Sequence, residues 1–149
     1  MIDLNKIYKF LGISGARLGD NLKIDLSLSL IDEELNELKQ GCSNNDKEEI
    51  KDAIADLFFV IMNNAYFNNL NIEEIEDMYE KVCISNMSKF CTTVKEAEET
   101  VKHYLNGTHW DKVGTHIDCD WHKVDNYYVV KRNDDKILKS INYKPVNKL

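Results

Sequence analysis

Two consecutive stretches of sequence decide the fold of this chain: Ile31-Asp32-Glu33-Glu34-Leu35-Asn36-Glu37-Leu38 and Glu49-Ile50-Lys51-Asp52-Ala53-Ile54-Ala55-Asp56-Leu57-Phe58-Phe59-Val60. Apolar residues recur in both at intervals of three and four positions, which predicts amphipathic α-helices. Glu34 and Glu37 are three residues apart and Asp52 and Asp56 are four apart, so each pair shares one face of its helix. Like charges stacked in this way destabilise a helix unless a cation lies between them. The two stretches therefore predict neighbouring helices that both carry acidic faces.

The surrounding sequence predicts a chain that is mainly helical. Apolar periodicity indicates five helices, over about 2–11, 26–40, 47–69, 72–89 and 95–105. Gly41 is expected to end the second helix, and a connection over 41–44 would make the second and third helices antiparallel neighbours. The apolar stripes of these two helices are Leu28, Ile31, Leu35 and Leu38, followed by Ile50, Ile54, Leu57, Phe58 and Ile61. A bundle of this size leaves apolar faces such as Phe58, Phe59 and Phe67 that need cover, which a second copy of the chain could supply.

From Trp110 onward the sequence changes from helical to β-prone. Three short runs, at 121–124, 127–131 and 137–141, are separated by turn residues and predict a small antiparallel β-meander. The expected fold is a mainly α bundle in residues 1–106, with this C-terminal β-meander in 107–149 as an extension of the same domain.

Composition limits the classes of function. The chain has 149 residues, which suits one domain, and its net charge of −7 argues against binding to polymeric nucleic acid. No apolar run reaches the roughly 18 residues that a membrane span requires, and the N-terminus does not resemble a signal peptide. The four cysteines show no pairing pattern. We therefore expect a cytoplasmic protein with free thiols and no membrane partner.

The acidic faces have three interpretations. On a helical wheel of about 100° per residue, Glu49, Asp52 and Asp56 fall within about 60°, and the three glutamates of the preceding helix fall within about 100°. They could form a solvated surface, a di-iron site or a divalent-cation site for a phosphorylated ligand. A di-iron bundle requires Glu-x-x-His pairs, but all four histidines lie beyond residue 100. Clustered carboxylates are ligands for Mg²⁺ or Mn²⁺ rather than for zinc.

An ordered set of three motifs resembles a known family. The set consists of the run Glu33 to Glu37, the acidic pair on the next helix, and the later run Ser85-Asn86-Met87-Ser88-Lys89-Phe90. It is similar to that of the MazG-like all-α nucleoside triphosphate pyrophosphohydrolases, which are related to the dimeric dUTPases and the phosphoribosyl-ATP pyrophosphohydrolases. The resemblance covers most of the chain and is closest to the phage-encoded branch, whose members carry a similar β-meander tail.

The resemblance implies roles for individual residues. Glu34 and Glu37 would bind Mg²⁺ from the first acidic helix and Asp56 from the second. Glu33 would lie beside them, either as a base or as a residue that supports the metal ligands. Asn86 and Lys89 would hold the triphosphate.

The fourth metal ligand is less clear from the resemblance. The family's second motif is Glu-x-x-Asp, but Ala53 stands here where that glutamate would be. Either Glu49 or Asp52 could replace it, and we favour Asp52.

The implied activity is Mg²⁺-dependent hydrolysis of a nucleoside triphosphate to a monophosphate and pyrophosphate, with Mn²⁺ as a substitute metal. The resemblance also implies a homodimer or homotetramer, in the host cytoplasm if the protein is encoded by a phage. The alternative is a catalytically inactive helical dimer that binds nucleotides or a protein partner.

The C-terminal segment carries two further features. Residues 121–149 hold seven Lys or Arg against three Asp or Glu, whereas the preceding chain is strongly acidic. These cations could belong to a flap that approaches a triphosphate, or to a strand ribbon that docks on the acidic body of the chain or on a neighbouring subunit. His109, His116, Cys119 and His122 are close in sequence, but their spacing matches no standard zinc site, so an irregular connection is the simpler expectation.

Overall fold

The computed structural model describes residues 3–149, and it confirms a mainly α chain with a small antiparallel sheet near the C-terminus. The helices are α1 (Asn5–Ile13), α2 (Ile24–Asn44), α3 (Lys47–Phe67), α4 (Ile72–Met87) and α5 (Val94–Leu105), and the strands are β1 (Cys119–Val124) and β2 (Tyr127–Arg132). The first residue of the predicted helix 2–11 lies outside the described residues. No helix in the described part of the chain is long and apolar enough to cross a membrane.

The chain forms two compact units, one that ends at Glu76 and one that comprises Asp77–Leu149. The division falls within α4. It concerns compactness alone, so the predicted boundary at residue 106, between two parts of one domain, stays a prediction.

In the first unit, α1 packs against the C-terminal half of α3. Ile7 and Leu11 of α1 form a buried cluster with Met62, Ala65 and Phe67 of α3. Burying side chains of this size supplies the main stabilisation of such a contact, about 1.5–3 kcal/mol for each large one. This cluster holds α3 in place from the end opposite to its acidic residues.

The α2–α3 hairpin differs from the prediction at its turn. Gly41 does not end α2, which continues to Asn44, and the connection is only Asn45 and Asp46. Asn45 adopts the left-handed conformation (φ 56°) that ends the helix, and the Asp46 carboxylate caps α3 by accepting hydrogen bonds from the backbone N–H groups of Glu48 and Glu49 at 3.0 and 3.2 Å. Gly41 is instead buried inside the helix, where α2 closely approaches α3.

The expected apolar stripes of α2 and α3 are only partly buried within this chain. The buried residues of α2 are Ser27 and Gly41, neither of which belongs to the predicted stripe. The stripe positions that remain more than a third exposed are Leu28, Leu35, Ile54, Phe58 and Ile61. These five positions are therefore largely uncovered within the described part of the chain.

The second unit packs α5 against a β-hairpin. Its buried cluster contains Cys91, Ala97, Tyr104, Val130 and Leu138. β1 and β2 are antiparallel, with Trp121 opposite Val130. The third β-prone run, 137–141, forms one bridge between Ile137 and Lys131 rather than a strand. All four cysteines are free, as expected.

Candidate active site

Two helices position the five acidic residues of the candidate site. Glu33, Glu34 and Glu37 lie on α2, while Asp52 and Asp56 lie on α3. The two-residue connection forces the helices to run antiparallel side by side, and Gly41 lets their backbones approach closely near the turn. The local sequence therefore brings the two predicted acidic faces together within the first unit.

Glu34 is the centre of this group. It is half-buried, and its pKa lies above the usual range of a glutamate because of burial and the negative charges of Glu37, Asp56, Glu33 and Asp52, in that order. The other four carboxylates are exposed. None of the five forms an ion pair with any residue of the described chain, so their mutual repulsion has no internal compensation.

The chemistry of these oxygen ligands fits a hard divalent cation, but the side chains are not already arranged around a metal position. Carboxylate oxygens without competing cations are ligands of the kind that Mg²⁺ and Mn²⁺ prefer. Within residues 3–149, however, no group of three or more His, Cys, Asp or Glu side chains stands in a geometry that would hold a metal ion. The four other carboxylates of the group are exposed to solvent.

The two candidates for the fourth ligand have different surroundings. Asp52 is exposed and is one of the charges that raise the pKa of Glu34, whereas Glu49 is not among them. Glu49 is half-buried in the first turn of α3, and its Cγ would lie 3.3 Å from a Cβ built on Gly41. Glu49 thus stands against the turn of the hairpin, and Asp52 stands one helical turn nearer to Glu34.

Asn86 and Lys89 lie in the second unit, at the C-terminal end of α4 and just after it. The ammonium group of Lys89 donates a hydrogen bond to the Asn86 side-chain oxygen at 2.6 Å, and the Asn86 amide donates to the Val82 carbonyl at 3.0 Å. The helix end therefore orders these two side chains as a pair. The partner of the Lys89 ammonium group is thus a neutral amide rather than a carboxylate.

The histidines and cysteine of the C-terminal segment have separate environments. His109 is buried and stacks on Tyr104 with ring centroids 3.9 Å apart, and burial lowers its pKa. His116 bonds to the Leu105 carbonyl and to Asp118, which together raise its pKa. None of these side chains belongs to a metal-holding group within residues 3–149. His109 and His116 lie in the irregular connection between α5 and β1, whereas Cys119 and His122 lie in β1.

Sequence reasoning missed one buried acid, Glu96. Its carboxylate accepts hydrogen bonds from the backbone N–H and the hydroxyl of Thr92, at 2.8 and 3.1 Å, and from the hydroxyl of Ser140. Burial opposes ionisation, but the hydrogen bonds outweigh it and lower the pKa of Glu96. The signal was present in Thr93-x-x-Glu96, the capping pattern of a helix start, in which the Thr93 hydroxyl accepts from the Glu96 N–H. Glu96 therefore has a structural role at the start of α5.

Comparison with known proteins finds a similarity over the part of the chain that carries the acidic residues. Residues 16–83 match the protein-family model described as phosphoribosyl-ATP pyrophosphohydrolase, a family of the MazG-like superfamily. The match covers a little under half of the chain and contains all five clustered carboxylates, but not Asn86 or Lys89. The similarity is thus to a pyrophosphohydrolase family of that superfamily. Neither the curated proteins nor the solved structures include a match.

Proposed function

We propose that this chain is a Mg²⁺-dependent nucleoside triphosphate pyrophosphohydrolase that releases a nucleoside monophosphate and pyrophosphate. The observation that carries the proposal is the convergence of four carboxylates on Glu34 without any compensating cation. Repulsion of this kind costs stability in a structural surface, and a bound divalent cation would relieve it. The family match over the same helices supports this reaction class.

Four of the carboxylates would hold the metal in this proposal: Glu34, Glu37, Asp52 and Asp56. When bound there, Mg²⁺ or Mn²⁺ would offset the negative charge of the triphosphate and so make attack by water feasible. The carboxylates would keep the cation on the paired faces of α2 and α3. Their location on rigid helices, rather than on loops, favours a defined position for the cation.

The remaining residues would act on water and on substrate. Glu33 would accept the proton from the water whose oxygen forms the new bond to the α-phosphorus. The bond between that phosphorus and the bridging oxygen to the β-phosphate breaks, and the bridging oxygen leaves with pyrophosphate. Asn86 and Lys89, which the end of α4 orders as a pair, would bind phosphate oxygens through an amide and an ammonium group.

The proposal includes an oligomer and a cellular setting. The apolar residues left exposed on α2 and α3 support a homodimer or homotetramer. The C-terminal β-hairpin supports the phage-type branch, and with it a place in the host cytoplasm.

The test is a panel of nucleoside triphosphates, including dUTP, dCTP and dGTP, assayed for pyrophosphate release with Mg²⁺ and with EDTA. We expect release that requires the metal and that falls at least about 100-fold in Glu37→Gln, because that variant removes a metal ligand. The matched control is Asp32→Asn, an exposed acid of the same helix that is not among the charges acting on Glu34. Its activity should stay within about two-fold of wild type.

Normal turnover by Glu37→Gln would refute the site assignment. No turnover of any triphosphate by the wild-type protein would favour the alternative, a catalytically inactive helical oligomer. Mg²⁺ binding measured by calorimetry separates that case from a failed assay, since an inactive oligomer without a metal site would give no heat.

A further inference from the structure

The second unit contains a small cavity with a strongly basic lining. The cavity has a volume of about 260 Å³ and lies beside α5, β2 and the segment that follows β2. Its charged lining residues are Lys89, Lys112, Arg132, Lys136, Lys139 and the single acid Asp111. Five cationic groups thus surround one small space in a protein whose overall charge is negative.

The basic cavity is only partly neutralised by the chain itself. Lys139 pairs with Asp111 at 2.6 Å, and Arg132 pairs with Asp134 through two hydrogen bonds. Lys112 and Lys136 form no ion pair with any described residue, and Lys89 bonds only to a neutral amide. Three positive charges therefore remain without a partner around the same space.

The walls of the basic cavity favour a strong positive electrostatic potential inside it. Tyr104 and Leu138 are buried apolar wall residues, and the Tyr104 hydroxyl is fixed by hydrogen bonds with both the N–H and the carbonyl of Lys139 at 3.2 Å. Lys139 is held over the rings of Trp110 and Tyr143, with its ammonium 5.4 and 5.0 Å from their centroids. Apolar walls beside fixed cations focus the electric field on the space between them.

We propose that the basic cavity binds a small phosphate-bearing anion, with pyrophosphate as its simplest form. Phosphate oxygens are the partners that a cluster of lysines and one arginine recognises. The volume lies below the range for whole drug-sized ligands, so the cavity would take phosphate groups rather than a complete nucleotide.

An adjoining open cleft of about 590 Å³ shares Lys112, Ile117 and Arg132 with the basic cavity. It could accept the rest of a larger molecule. The inference rests on this cavity alone, and it holds whether or not the acidic site hydrolyses triphosphates.

Calorimetric titration of the full chain with inorganic pyrophosphate, in EDTA and at low salt, tests the inference. We expect saturable binding that weakens at least about ten-fold in the double variant Lys112→Gln, Lys136→Gln, because two unpaired charges are removed. The matched control is Lys95→Gln, which removes a highly exposed lysine of α5 that does not line the cavity. Its affinity should stay within about two-fold of wild type. Tryptophan fluorescence checks folding, since Trp110 and Trp121 both lie in the second unit.

Glu37→Gln separates this site from the acidic one. Pyrophosphate binding without metal should be unchanged in that variant, even if its hydrolytic activity is lost. Binding that is absent in wild type, unchanged in the double variant, equally weakened by Lys95→Gln or abolished by Glu37→Gln would overturn the inference.

A competition titration with dUTP in EDTA then identifies the source of the phosphate. Displacement of pyrophosphate supports a site for the phosphate chain of a nucleotide, and its absence supports a site for the free anion.

Discussion

At the scale of single residues, Glu34 links the sequence pattern to the chemistry. Its pKa lies above the usual range of a glutamate, because of its burial and because carboxylates of both helices add negative charge beside it. A bound cation would stabilise the ionised form of Glu34, because its charge offsets both the desolvation cost of partial burial and the repulsion from the neighbouring carboxylates. The difference between Asp52 and Glu49 follows from the same geometry, since only Asp52 contributes to the charge at Glu34.

Asp52→Asn should lower metal-dependent pyrophosphate release at least about ten-fold and weaken Mg²⁺ binding, since it removes a proposed ligand. Glu49→Gln is the matched comparison, because it neutralises an acid three residues earlier on the same helix. It should leave kcat within about three-fold of wild type. Measured kcat and Mg²⁺ affinity for the two variants decide between them. Full activity in Asp52→Asn together with loss in Glu49→Gln would show that Glu49 is the fourth ligand.

Helical spacing alone places Glu34 beside Glu37 and Asp52 beside Asp56, so the sequence predicted that each pair shares one face of its helix. It could not predict that the group is incompletely closed, since rotamers of exposed carboxylates depend on what they bind. The basic cavity could not be predicted from the sequence either. Lys89 and Lys112 are distant in sequence from Arg132, Lys136 and Lys139, and only the tertiary fold of the second unit brings them together.

At the scale of helices and strands, the α2–α3 turn shows that a glycine does not always mark the end of a helix. Glycine often ends a helix, but Gly41 lies inside α2 without a left-handed backbone. A Cβ at this position would lie 3.1 Å from both the Ile50 backbone nitrogen and its Cγ1. The residue is small because the helices touch there, and Asn45 performs the helix-ending function instead. Periodicity predicted the existence of the helices, whereas tertiary contact decided this boundary.

Gly41→Ala should destabilise the protein by about 1 kcal/mol or more, although alanine is the better helix former. The contact with a backbone atom of α3 cannot be relieved by rotating a side chain, so the helices must separate. Gly12→Ala is the matched control, because nothing lies within 4 Å of a Cβ built on Gly12 in α1. It should be neutral or stabilising by up to about 1 kcal/mol.

Urea unfolding followed by circular dichroism at 222 nm measures both glycine variants. This probe is suitable because it reports on all the helices, whereas tryptophan fluorescence would report only the second unit. Stabilisation by Gly41→Ala would contradict the close approach of α2 and α3.

At the scale of the whole molecule, the exposed apolar surface of the first unit needs explanation. The periodicity of α2 and α3 predicted which residues form the apolar face of each helix. It did not predict what covers these faces, because the same pattern is found in a core and in an interface. Ile54 and Phe58 are 53% and 39% exposed, and with Ile7 and Phe59 they line a largely apolar cavity of about 580 Å³. On the helical wheel Ile54 and Phe58 lie roughly opposite to Asp52 and Asp56. One face of α3 is thus acidic, and the other is apolar and uncovered.

A second copy of the chain is the proposed cover, and light scattering on a sizing column tests it. Wild-type protein should have a mass that is a multiple of 17.3 kDa. Ile54→Lys combined with Phe58→Lys should shift the protein toward the single-chain mass, because each buried apolar side chain lost from an interface removes about 1.5–3 kcal/mol and a charge must be desolvated. The control is Val113→Lys, which changes an apolar residue that is 75% exposed in the second unit and should leave the mass unchanged. A wild-type protein of single-chain mass, or an unaltered mass in the double variant, would contradict an interface through this face of α3.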